Sequence, residues 1–224
     1  MTITSAGTPT SNNTDNVASM VLNVPTGVSD DDLILFMGSC DGTGYSLPTG
    51  FIQIFDTAHS SNASMLAYRK ASSEPASYTI NVKTGTERGI GIFAIYSGVD
   101  VDAGPDVSSS NTGTSSTGSI TSITPSEDNE LVVAFIGTED GNAGNPITTS
   151  WPSSLVSLVD NVNGPPGSGA GSAAGAFAAV IQTTAGAVSG SIALSITSTW
   201  ATLAASFKES AAIGGTILTH RMRY

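Results

Sequence analysis

Apolar residues along this chain come in short runs that alternate with polar ones at a period of two, and clusters of Gly, Ser, Pro and Asn separate the runs. Successive side chains of a strand point to opposite faces, so this period marks strands packed into sheets. It predicts strands near 17–24, 33–40, 51–56, 64–71, 78–83 and 89–97, then near 119–124, 131–138, 155–160, 175–183, 190–197 and 200–208. No segment keeps a 3.6-residue period across ten positions, so no helix is expected.

The two series read as copies of each other. "DDLILFMGSCDG" at 31–42 returns as "NELVVAFIGTEDG" at 129–141, an acidic or amide lead-in, an apolar run, then Asp-Gly. Pro48, Phe51, Ile52 and Ile54 match Pro152, Leu155, Val156 and Leu158. Ile80 and Val82 match Ile192 and Leu194, and Ile90, Ile92, Ala94 and Tyr96 match Ala201, Leu203, Ala205 and Phe207. The matches are collinear and point to a duplication over roughly 17–100 and 119–211. Halves of about 80 residues bury little surface alone, whereas two sheets sharing one core bury more per residue and leave fewer edges. The expected fold is all-β: one antiparallel, jelly-roll-like β-sandwich at 17–211, built from two duplicated half-domains. Outside the repeat lie a polar N-terminal arm at 1–16, a Ser/Thr/Gly connector at 101–118, and a C-terminal tail at 212–224.

Composition narrows the function. Only 11% of residues are charged, and 7 Lys and Arg stand against 18 Asp and Glu, a net charge of −11. A phosphate backbone needs clustered cations, so neither a nucleic-acid nor an anionic-membrane partner is expected. No apolar stretch approaches the length of a membrane span, and the start lacks the basic and apolar regions of a secretory signal. The single cysteine, Cys40, excludes an intramolecular disulfide and sits in an apolar run, where it reads as a small buried hydrophobe.

Catalytic chemistry finds few candidates. The two histidines, His59 and His220, fall in an expected hairpin tip and in the tail, and no nucleophile elbow is present. Asp56 and Asp160 close equivalent runs, which suits turn or capping roles better than a glycosidase pair. The acidic turns Asp30-Asp31-Asp32, Asp100-Val101-Asp102 and Glu139-Asp140 lack a spaced calcium-loop pattern. "NGPPGSGAGSAAGAF" lacks the Lys-Ser/Thr of a phosphate loop and reads as a hairpin loop. The sequence therefore points to a non-enzyme with no catalytic, cofactor or metal residues.

Val24-Pro25-Thr26-Gly27-Val28, Asp32-Leu33, Pro48-Thr49-Gly50-Phe51 and Tyr96-Ser97-Gly98-Val99-Asp100 resemble the motifs of β-sandwich structural proteins of tailed bacteriophages and prophages. The resemblance covers 17 to about 211 and implies a virion structural role, with synthesis in the host cytoplasm and no catalytic residue carried over. The expected partners are other virion proteins, of capsid or tail, and further copies of the chain. A capsid decoration or cement protein is expected in preference to a tail fibre, because no shaft sequence is present. The alternative is an adhesin or carbohydrate-binding module with a cell-surface glycan ligand, which the 6% aromatic content disfavours.

Two partner-binding surfaces are expected. Phe93 and Ile95 form the outer face of "GIGIFAIYS", where either the 101–118 segment or another subunit covers them, and the second is assigned. In the tail, Ile217, Leu218, Arg221, Met222, Arg223 and Tyr224 suit a docking strand that pairs with a neighbour, the alternative being a frayed end. By contrast, Thr202, Ser206 and Lys208, with Ala204, are expected on a solvated face.

Overall fold

The computed structural model describes residues 2–60, 62–140, 148–163 and 172–211. Its first half runs β1 (Thr4–Ser5), β2 (Thr10–Val17), β3 (Ser19–Asn23), β4 (Leu33–Cys40), β5 (Tyr45–Ser46), β6 (Ile52–His59), β7 (Asn62–Lys70), β8 (Ser77–Val82) and β9 (Glu87–Ser97). The second runs β10 (Pro105–Ile123), β11 (Glu130–Asp140), β12 (Thr148–Ser150), β13 (Val156–Asn163), β14 (Ser172–Gln182) and β15 (Val188–Phe207). The fold is all-β with antiparallel pairing, as the period of two implies.

Each half makes its own main sheet, and both use one strand order. The first is β1-β9-β4-β7-β6 with β2 also on β9, and the second is β10-β15-β11-β14-β13. Register agrees as well as order: Leu33 stands opposite Tyr96, and Leu131 opposite Phe207. The sheets face each other with these orders reversed, since β6 lies against β10 and β15 while β13 lies against β2 and β9. Between them is one shared core in which Leu33, Leu35, Met37, Ile92 and Tyr96 meet Leu131, Val133, Phe135, Phe177 and Phe207.

A further layer covers the outer face of each sheet. On the first half a small sheet, β3-β8-β5, covers Ile34, Phe36, Met65 and Phe93 with Met20, Leu22, Tyr45 and Ile80. Tyr45 pins it by donating its hydroxyl to Ser39 O at 2.8 Å and to Ile90 O at 3.0 Å. On the second half the same cover is made by the outer ends of β10 and β15, with β12 paired to β15. Ile120, Val188, Ile192 and Leu194 there pack on Val132, Ala134, Ile136 and Ala204. The strands enter this layer where the register steps from Ser115↔Ser198 to Thr117↔Ala193. Extra residues on one strand re-aim it in the manner of a bulge.

These layers correct two expectations. Phe93 and Ile95 are 0% and 1% exposed beneath the chain's own small sheet, so they are core residues and no partner surface. Thr202, Ala204 and Ser206 are likewise buried. Leaving large apolar groups in water costs about 1.5–3 kcal/mol each, and the fold covers them with its own third layer.

The segments expected to lie outside the repeat also belong to the fold. The polar arm contributes β1 and β2 on β9, with Ile3 buried in the shared core, and most of the connector is the sheet-forming part of β10. Asn12 pairs with Gly91 and Asn111 with Thr202. Asn12 Nδ2 donates to Val21 O at 2.7 Å while its Oδ1 accepts from Asn13 N at 2.9 Å. Asn111 repeats this with Ser119 O at 3.2 Å and Thr112 N at 3.0 Å. Each asparagine thereby ties an edge strand to the outer layer and occupies a carbonyl that an open edge leaves free.

The repeated lead-in has a local cause. Asp31 and Asn129 have φ of 73° and 64°, a left-handed conformation that Asp and Asn tolerate better than most residues. Asp31 N donates to Ala71 O at 2.9 Å, and Asn129 N to Gln182 O at 2.8 Å. The next residue is acidic in both halves and caps the preceding turn. Asp32 Oδ2 accepts from Ser29 N at 2.8 Å, and Glu130 Oε1 from Glu127 N at 2.9 Å. The halves then meet at their ends. Val99 bridges Glu209, Asp100 N donates to Lys208 O at 2.9 Å, and Ser210 N donates to Gly98 O at 2.8 Å. Gly98, with φ of +79°, packs so tightly that a Cβ on it would stand 2.6 Å from Thr2 O.

Candidate functional site

Beside that junction opens a cleft of about 420 Å³ that gathers two of the acidic turns. Asp30, Asp31 and Asp32 line one wall, and Asp100 and Asp102 the other, with Ser210 and Ala211 at its margin. Lys70 stands between them, 3.1 Å from Asp31 Oδ1 and 2.7 Å from Asp102 Oδ2, and these carboxylates raise its pKa. Asp30 Oδ1 accepts from Ser73 N at 2.7 Å. The acids are thus engaged in turns and ion pairs. Among the described residues no group of three or more His, Cys, Asp or Glu is arranged to hold a metal.

A polar row crosses the far end of the shared core. Ser39 Oγ bonds Asn62 Oδ1 at 2.9 Å, Ser64 Oγ bonds Ser39 Oγ at 3.2 Å, and His59 Nε2 lies 3.1 Å from Ser64 Oγ. His59 is buried, where a charge is poorly solvated, and its pKa falls to about 4. Its Nδ1 has no partner among the described residues. Ser64 is fully enclosed, so this Ser-His contact offers a substrate no approach and serves packing. His59 does stand at the hairpin tip, closing the β6–β7 pair opposite Asn62, but it is buried there rather than exposed as polar tip residues usually are.

Cys40 is enclosed between β4 and the outer layer. Burial first, then a hydrogen bond and the charge of Glu87, push its thiol well above the ordinary value. Glu87 Oε1 also accepts from Thr43 N at 3.2 Å, tying the Asp41–Gly44 turn to β9. Asp56 lies within β6 opposite Met65 and its carboxylate pairs with Lys83, so it does not close a strand in the turn or capping role expected of it.

Two smaller clefts occupy equivalent places in the two halves. One lies between β5 and β6 and is lined by Tyr45, Ser46, Leu47, Phe51, Gln53, Met65 and Lys83. Phe51 there is committed to packing: it stacks on Phe93 at 5.8 Å and meets Tyr78 edge-on at 5.5 Å, with the Arg69 guanidinium 5.4 Å over its ring. The other, about 310 Å³, lies between β12 and β13 and holds Thr148, Ser150, Trp151, Pro152, Ser153, Leu155 and Ser157. Its wall turns on Leu155 N donating to Pro152 O at 2.9 Å, as Phe51 N does to Pro48 O at 3.4 Å. The aromatic that sequence reasoning passed over is Trp151, which stands where the first half has Leu47.

The assigned tail residues Ile217, Leu218, Arg221, Met222, Arg223 and Tyr224, together with His220, lie outside the described residues. Comparison with known proteins yields no match to a family model, a curated protein or a solved structure.

Proposed function

We propose that this chain is a non-enzymatic structural protein of tailed-bacteriophage particles, a decoration or cement protein of the head surface held by other virion proteins and by its own copies. The observation that supports this most directly is the placement of exposed apolar side chains. Ile52 is 54% exposed on β6, and Val156 and Leu158 are 61% and 41% exposed on β13. These are the last strands of the two main sheets, and Ile52 and Val156 hold equivalent positions, opposite Tyr68 and Ala179. Apolar groups on a sheet edge are what another subunit covers. The same reading takes the shared strand order, register and asparagine ties as the trace of a duplication, and it assigns residues 212–224 to docking on a neighbour.

The test is to search purified particles for the chain by mass spectrometry and to locate it in a reconstruction. Symmetric copies on the capsid are expected. Replacing Ile52, Val156 and Leu158 by Ser should lower incorporation while leaving the melting temperature unchanged, and deleting 212–224 should do the same. Absence of the chain from particles overturns the reading.

A further inference from the structure

We infer that copies of this chain associate side by side, the β6 flank of one seated against the β13 flank of the next, so that each copy holds two neighbours. This rests on the preceding reading of these edges as covered surfaces and names a second copy as what covers them. Strands β6 and β13 end their sheets: among the described residues β6 pairs with β7 alone and β13 with β14 alone. The two sheets face each other with their strand orders reversed, which puts these edges on opposite flanks of the sandwich.

The flanks match in construction. Both strands step out of register at the same place, between Gln53 and Phe55 on β6 and between Ser157 and Val159 on β13. A bulge on an edge makes it a poor template for a further strand, so the contact is made by side chains. Across each seam the edge strand of the other sheet presents hydroxyls. Ser110 of β10 stands opposite Leu203, and Ser11 of β2 opposite Ile92. Both partners point into the shared core, so the serines turn the same way and lie exposed on the β6 and β13 flanks.

Charge selects the partner. Each copy has a net charge of −11, so copies repel and approach at least cost through uncharged surface. Ile52, Gln53 and Ser110 on one flank, and Val156, Leu158 and Ser11 on the other, carry no charge. The carboxylates on the same strands are engaged: Asp56 of β6, Asp106 of β10 and Asp15 of β2 pair with Lys83, Lys208 and Arg88. One difference sets which flank meets which. At the bulge Leu158 is 41% exposed, whereas its counterpart Ile54 is drawn in against the shared core. Two β13 flanks would set one projecting Leu158 against another, and two β6 flanks would cover little beyond Ile52. A β6 flank instead receives Leu158 over the retracted Ile54, while Ile52 meets Val156. Contact between unlike surfaces repeats head to tail, so it builds rows or rings and not closed dimers.

The test is sedimentation velocity on the purified full chain over a range of concentrations, at low and at high sodium chloride. Assemblies larger than a dimer are expected as concentration rises, and more of them at high salt, which screens the repulsion. Ile52→Lys disables one flank, and Val156→Lys with Leu158→Lys the other. Each variant alone should remain monomeric, and their equal mixture should form a dimer that grows no further. Serine at the same positions serves where a lysine lowers the melting temperature. A monomer at every concentration, growth of the parent that stops at a dimer, or variants that fail to pair when mixed each overturns the proposal. Loss of association on deleting 212–224 also overturns it, since the contact then belongs to the tail. The purified chain suffices, so these results stand apart from whether it is found in particles.

Discussion

Gly137 of β11 lies directly against Ser64 of β7 across the sandwich: a Cβ on Gly137 would stand 2.8 Å from Ser39 Cβ and closer still to Ser64 Oγ. Three small residues let the two main sheets approach closely here. Gly137→Ala is therefore expected to destabilise the fold by about 1–3 kcal/mol through overpacking. Urea unfolding measures it, and adding Ser64→Gly should recover part of the loss. An alanine variant as stable as the parent would show that the sheets part there without cost.

Acid should weaken the same end of the molecule. The folded pKa of His59 is lowered to about 4 from an ordinary 6.5, so the unfolded chain takes up its proton first as pH falls. The stability associated with neutral His59 is complete above about pH 6.5 and is lost as pH drops through about 4, a total of about 3 kcal/mol. Unfolding midpoints at pH 7 and pH 4.5 should differ accordingly, and His59→Gln should flatten that slope. A slope unchanged in the variant would assign it to carboxylates instead.

Phe93→Ala should now act on the monomer. With the ring fully enclosed between β9 and the small outer sheet, its removal is expected to cost about 3–5 kcal/mol. A melting temperature close to that of the parent would return Phe93 to the surface.

Cys40 should resist alkylation. Its thiol is enclosed and held protonated by burial and by Glu87, and the thiolate is the reactive form. Iodoacetamide at pH 8 should label the native protein far more slowly than the protein in urea. Equal rates would mean that the outer layer opens readily.

β4, β7, β9, β11 and β14 were legible because each holds a short run of apolar residues bounded by turn residues. That pattern could not assign the cover over Phe93 and Ile95. A strand apolar on both faces looks the same whether its second face meets a partner or the chain's own third layer. Strand β2 and the sheet-forming part of β10 escaped notice for the opposite reason: Ser, Thr and Asn occupy both faces, so no alternation shows. A signal did exist in "SNNT" at 11–14 and "SNTG" at 110–113, whose first asparagines make the same two hydrogen bonds. The acidic cleft was hidden because its two turns are some 70 residues apart in the chain.

Gly98 touches both ends of the described fold, with Thr2 packed against it and Ser210 N bonded to its carbonyl. A force applied through the two ends would therefore load one small junction first, leaving the long β10–β15 ladder unstressed until that junction gives way. The same proximity suits circular permutation. A short linker could join residue 210 to residue 2, and new ends could be opened at the turn between β7 and β8 without cutting either main sheet. Cargo attached directly at residue 2 or at residue 210 would leave the molecule from the same place.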